Sequence, residues 1–212
     1  MKRIRTLVLS FLFACAVLFV PFAVNAGYGI QNVAAAEEDE STTDYSTKYV
    51  VLSLEGFTIG QGFYITPTRM SYEEIGNVWK QEGIDIDLSK LTVSQATYAF
   101  FKKAGLQTKP AGSSAYNDSN FYLANIKGID KGTVKVPTAL LDAYKTRNNG
   151  NDLELEEKTG TDLAEHDYTS WSGWMITVDN VPCNTSAGAY LVDQGTGADT
   201  NVLRWQFTLA GY

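Results

Sequence analysis

Residues 202–209 alternate without a break: Leu203, Trp205, Phe207 and Leu209 interleave with Val202, Arg204, Gln206 and Thr208. A period of two sends these sets to opposite faces of a strand, so one face is strongly apolar and needs a covering layer. Trp174, Ile176 and Val178 repeat the pattern against Met175, Thr177 and Asp179. Near the other end, Tyr49-Val50-Val51-Leu52-Ser53-Leu54 puts Val50, Leu52 and Leu54 on one face, and the folded domain is expected to start at about Lys48.

Helical signals lie between these strands. Ser71-Tyr72-Glu73-Glu74 has capping-box form and precedes the stripe Ile75, Val78 and Trp79, which Gly83 ends. Thr92-Val93-Ser94-Gln95 opens a second helix with Val93, Ala96, Phe100 and Phe101 inward, Lys102 and Lys103 at its negative end and Gly105 as its stop. A third is expected from Pro137 through Tyr144, ended by Asn148-Asn149-Gly150. Residues 107–120 read as an exposed loop, Phe121 to Ile126 as a short strand, and Phe57 to Ile65 as an extended segment in which Gly60 and Gly62 allow a bulge or a close backbone approach. Helices interspersed among antiparallel-looking strands, with no repeat of solenoid or propeller period, predict a single α+β domain.

The N-terminus is of another kind. Lys2, Arg3 and Arg5 precede an apolar run from Leu7 to Val24, the arrangement of a secretory signal peptide, and small residues offer cleavage after Ala26 or after Ala36. An 18-residue run approaches the length of a membrane anchor, but Pro21 interrupts it. A lipoprotein reading at Cys15 fails because the apolar run continues well past it. Residues 1–36 are therefore assigned as signal peptide and processing tail, 37–47 as an acidic disordered leader, and 48–212 as the domain, with an extracellular or cell-surface location.

Removal of residues 1–36 leaves 14 basic side chains against 24 acidic ones, a net charge of −10. Such a surface disfavours nucleic acid and anionic membranes and favours a soluble monomer. Cys183 is then the sole cysteine, so no internal disulfide can form and the fold rests on its core.

Catalytic motifs are sparse. Gly60 and Gly62 lack the Gly-Lys-Ser/Thr of a phosphate loop, and no Gly-x-Ser-x-Gly elbow is present. His166, the one histidine, would have to serve any triad with Asp162 or Asp167, and Cys183 has no cationic neighbour in sequence to make it a thiolate. Asp162, Glu165 and Asp167, or Glu154, Glu156 and Glu157, resemble a solvated face more than an acid/base pair. Asp85-Ile86-Asp87 and Asn148-Asn149-Gly150-Asn151-Asp152 fall short of a calcium loop and read as turns. No catalysis, metal or required cofactor is expected. What remains is an aromatic cluster, Tyr168 and Trp171 beside His166, with Phe63 and Tyr64 as further candidates for holding a ligand, while Trp174 and Trp205 read as core.

Four segments carry a family resemblance: Phe57-Thr58-Ile59-Gly60-Gln61-Gly62, Tyr122-Leu123-Ala124-Asn125-Ile126-Lys127-Gly128, Ser172-Gly173-Trp174-Met175-Ile176-Thr177-Val178-Asp179-Asn180 and Val202-Leu203-Arg204-Trp205-Gln206-Phe207-Thr208. In this order they resemble the transcobalamin C-terminal-like domain, a family of unknown function common on Gram-positive bacterial surfaces. The resemblance spans nearly all of residues 48–212 and implies a β-grasp-like sheet with two or three covering helices. It also implies a small-molecule or surface-ligand role, a corrinoid among the ligands. The sequence departs from the family at Pro182-Cys183-Asn184 and in the longer Gln194 to Asn201 stretch, so the loops flanking any family site are altered. Imidazole suits cobalt, but the resemblance assigns His166 no such role.

Two functions follow as expectations: a non-catalytic module binding a corrinoid, glycan or other surface ligand, and a structural or adhesive spacer making protein contacts. Export itself is testable. N-terminal sequencing of the secreted product is expected to begin at Gly27 or Glu37, and Met1 on that product would refute the assignment.

Overall fold

Two strands from opposite ends of the domain form its centre. In the computed structural model, which describes residues 43–109, 111–129, 133–156, 160–194 and 196–209, β1 (Tyr49–Glu55) runs parallel to β8 (Thr200–Thr208), with Leu52 beside Leu203 and Leu54 beside Trp205. β2 (Phe63–Ser71) pairs antiparallel with the free side of β1. β6 (Gly173–Val178) pairs antiparallel with β8, and β7 (Val181–Pro182) closes the edge, giving the order β2-β1-β8-β6-β7. A first hairpin, covering helices and a last strand laid parallel to the first make up the β-grasp-like α+β arrangement expected. The expected signal segment, residues 1–36, lies outside the described residues.

Both expected capping boxes are formed. Ser71 and Glu74 exchange hydrogen bonds of 3.0 and 2.7 Å at the start of α1 (Tyr72–Gln81), and Thr92 and Gln95 do the same for α2 (Val93–Ala104), whose chain leaves through Gly105 at φ +70°. Ile75 and Trp79 of α1, and Val93, Ala96, Phe100 and Phe101 of α2, are buried. Their partners on the sheet are Val50, Leu52, Leu54, Leu203, Trp205 and Phe207, all buried as the alternation requires. Each buried indole has a hydrogen-bond acceptor: Trp205 Nε1 donates to Thr97 Oγ1 at 2.9 Å, Trp79 Nε1 to the Gln95 carbonyl at 3.0 Å and Trp174 Nε1 to the Leu163 carbonyl at 3.1 Å. An unpartnered indole N–H in such a core would be destabilising.

The intermediate segments differ from expectation. Residues 107–120, expected as an exposed loop, contain β3 (Gln107–Lys109) and the single-turn α3 (Ser113–Tyr116). Tyr116 is buried there, stacked 4.3 Å from Phe121, and the aromatic side chain overrides the loop-forming composition around it. The strand expected at 121–126 shrinks to β4 (Asn125–Lys127), because Phe121 and Leu123 enter the core from irregular backbone. β3, β4 and β5 (Leu163–Ala164) form a second, three-stranded sheet. Phe57–Ile59 is a 3-10 turn instead of extended chain. Gly60 follows at φ +78°, where a Cβ would lie 2.3 Å from the Lys135 carbonyl oxygen; Gly62 has no such neighbour. The leader also ends earlier than expected: Asp44 caps a turn through Ser46 and Thr47, and Tyr45 stacks on Tyr72.

α4 (Thr138–Arg147) is present with Pro137 at its N-terminal cap position and Asn148 at its C-terminal one, so it stops at the expected Asn148-Asn149-Gly150. It buries no residue, so two helices rather than three cover the sheet.

Phe207 is fully buried between Tyr168 and Trp174, whereas its neighbour Gln206 looks outward. In denaturant titrations Phe207→Ala is expected to cost about 3–5 kcal/mol, and Gln206→Ala under about 1 kcal/mol.

Candidate functional site

The loop from His166 to Ser172, between β5 and β6, is fixed by its own polar side chains. Ser172 Oγ accepts from the Tyr168 and Thr169 amides at 3.3 and 3.4 Å and donates to the Thr169 carbonyl at 3.1 Å. Thr169 Oγ1 donates to the Leu209 carbonyl and accepts from the Trp171 amide at 3.1 Å. The buried Asp167 carboxylate accepts from the Ala164 amide at 2.8 Å. His166 is left-handed at φ +61°, its amide bonds the Ser172 carbonyl at 2.8 Å, and its Nδ1 donates to the Ser170 carbonyl at 2.8 Å. Short polar side chains bonded to nearby backbone suit such a turn. The result is a stiff platform on which Trp171 stands 76% exposed, the most exposed large apolar side chain described.

The platform forms one wall of an open groove of about 1250 Å³. The groove is also lined by Leu140, Tyr144 and Asn148 of the α4 segment, three positions spaced by four residues and so on one side of a helix. Leu153, Leu209 and the buried Tyr168 line its floor, and the Glu156 amide ties the strip beyond α4 to the Tyr168 carbonyl at 2.8 Å. Charges around it are unbalanced: Asp152, Glu154 and Glu156 face Arg147. Lys145 bonds Asp152 at 2.8 Å at the exposed rim, where ion pairs contribute little.

His166, Trp171 and Tyr168 therefore come together in one groove. Tyr168, a candidate for holding a ligand, is 2% exposed and packs edge-on against Phe207 at 5.9 Å, so it lines the groove from within the core and offers no free ring face. Phe63 and Tyr64 lie outside the groove. Tyr64 packs on Trp174 at 6.2 Å, and Phe63 meets Phe57 edge-on at 4.9 Å, both of the latter rings half-exposed near the start of β2. The α4 wall is the part sequence reasoning missed. Its one signal is that Leu140 and Tyr144 are too few to bury a helix, which leaves an apolar strip for something else.

Glu165 Oε2 accepts from the Tyr122 hydroxyl at 2.9 Å and lies 3.7 Å from His166 Nε2. Burial, reinforced by that carboxylate, pushes the Tyr122 hydroxyl up to about 12. Burial likewise raises the Cys183 thiol to about 11, so it is protonated at neutral pH and a poor nucleophile. Asp162 is held by Asn125 Nδ2 at 3.1 Å, and Asp87 caps a turn through Ser89. Glu157 lies outside the described residues.

This arrangement can hold an extended polar ligand against one flat aromatic face. Comparison of the chain with protein-family models, with curated proteins and with solved structures returned no match.

Proposed function

We propose that the chain is a secreted or cell-surface binding module without catalytic activity, and that its ligand lies in the groove between α4 and the His166–Ser172 loop. One observation carries the reading: Trp171 is 76% exposed on a loop whose backbone and hydroxyls are already hydrogen-bonded. A large indole held in water is unfavourable unless something covers it, and a rigid aromatic loses little conformational freedom when it is covered. The resemblance to the transcobalamin C-terminal-like domain supports a ligand role in the same direction and leaves corrinoids within the range of ligands.

A spacer or adhesive role is the second reading. It is favoured by the half-exposed Phe57 and Phe63 pair beside the free edge of β2, an apolar spot where another protein could make contact.

A thermal-shift screen of the mature protein against cobalamins, other tetrapyrroles and glycans separates the two. A ligand at a hundred times its dissociation constant adds about 2.7 kcal/mol of stability. Trp171→Ala is expected to weaken binding of such a ligand by about 1–3 kcal/mol while changing stability by less than about 1 kcal/mol. If no compound raises the melting temperature and Trp171→Ala unfolds the domain, the spacer reading replaces this one.

A further inference from the structure

Polar groups in the groove point to the class of its ligand, an inference that rests on the groove being the binding site. Glu154 and Glu156 supply carboxylates, Asn151 an amide and Ser170 a hydroxyl, and none of these side chains is hydrogen-bonded or ion-paired to another among the described residues. The set therefore offers both donors and acceptors toward the space that Trp171 overlooks. A ligand made of hydroxyls, each both donor and acceptor, matches such a mixed set. A purely cationic ligand would use only the carboxylates, and an aromatic cage for it would need more exposed rings than Trp171 and the partly buried Tyr144.

Charge removes a further class. With Asp152 paired to Lys145, two carboxylates, Glu154 and Glu156, stand against Arg147 in the groove, and the chain without residues 1–36 carries net charge −10, so an anionic polymer would meet repulsion both at the site and on approach. Size sets the length. About 1250 Å³, open to solvent, exceeds the roughly 300–1,000 Å³ that encloses one drug-sized molecule. A chain of several units fits better than a single small ring.

We infer that the groove binds a neutral oligosaccharide chain, with one pyranose ring stacked by its C–H face on the Trp171 indole and neighbouring hydroxyls bonded to Glu154, Glu156, Asn151 and Ser170. The polarised ring C–H bonds meet the electron-rich indole face, and the vicinal hydroxyls meet the carboxylates.

Of the four tryptophans, Trp79, Trp174 and Trp205 are buried, so acrylamide-quenchable fluorescence reports Trp171. The full mature protein is titrated with cellohexaose, mannohexaose and the hexamer of N-acetylglucosamine, and in parallel with hexagalacturonate, choline and cyanocobalamin, with calorimetry for affinity. At least one neutral hexasaccharide is expected to protect Trp171 from quenching and to bind about tenfold or more tighter than hexagalacturonate. Trp171→Ala should lower its affinity by about tenfold or more. Glu154→Lys with Glu156→Lys should narrow or reverse the preference over hexagalacturonate, and the near-ultraviolet circular dichroism of both variants shows whether they are folded. Binding of choline, hexagalacturonate or cyanocobalamin in place of the neutral sugars, lost with Trp171→Ala, overturns the saccharide inference and leaves the binding module standing. Sugar binding that survives Trp171→Ala in a folded protein also overturns it, and silence from all six probes removes the binding reading as well.

Discussion

The parallel pairing of β1 with β8 is the constraint from which the rest follows. Parallel strands cannot be joined by a tight turn, so the chain between Glu55 and Thr200 has to make a long crossover, and along it β2, β6 and β7 are added to the same sheet. α1 and α2 lie over the apolar face that the pair creates, and β6 occupies the remaining side of β8. The indole of Trp205 fastens the layers: it sits beside Leu54 in the sheet and donates into α2 at Thr97, whose hydroxyl in turn donates to the Val93 carbonyl at 2.7 Å.

Polar groups inside the fold are used for alignment. Asn201 is 1% exposed; its Nδ2 donates to Asp179 Oδ2 at 2.9 Å, while Asp179 Oδ1 accepts from the Val202 amide at 2.7 Å. Asp179 and Asn180, at φ +50° and +67°, form the two-residue turn between β6 and β7, and residues that tolerate left-handed backbone are what such a hairpin demands. The same aspartate thus shapes the turn and sets the level at which β8 enters the sheet. On the other side of β8, Glu55 of β1, 3% exposed, accepts from Arg204 Nε at 2.9 Å. Arg204 itself is exposed, so it is loss of the arginine that would leave the buried Glu55 carboxylate without its partner.

Features that rest on local chemistry were legible in the sequence. The Ser71 and Thr92 caps, the Gly105 stop and the alternation through Leu203, Trp205 and Phe207 all involve residues a few positions apart, and each is formed. Features set by distant partners were not. Tyr116 lies in a Ser- and Gly-rich stretch and is buried only because Phe121, Tyr98 and Thr108 meet it there. The inward turn of Tyr168 depends on Phe207, far along the chain. Trp171 was recognisable as an aromatic in a polar loop, but its facing wall was not, since nothing near residue 140 announces that residue 171 will stand across from it.

The two walls of the groove differ in stiffness. One is the bonded turn around Ser172. The other hangs between two backbone ties, Lys135 to Ile59 at 2.9 Å and Glu156 to Tyr168 at 2.8 Å, and the helix between them contributes only Leu140 to the packing against the core. A helix held in this way behaves as a compliant jaw against a fixed one. On the proposed reading, in which a chain-like ligand lies in the groove, a helix held by so little packing would let the groove width follow the thickness of that ligand while the indole keeps its place.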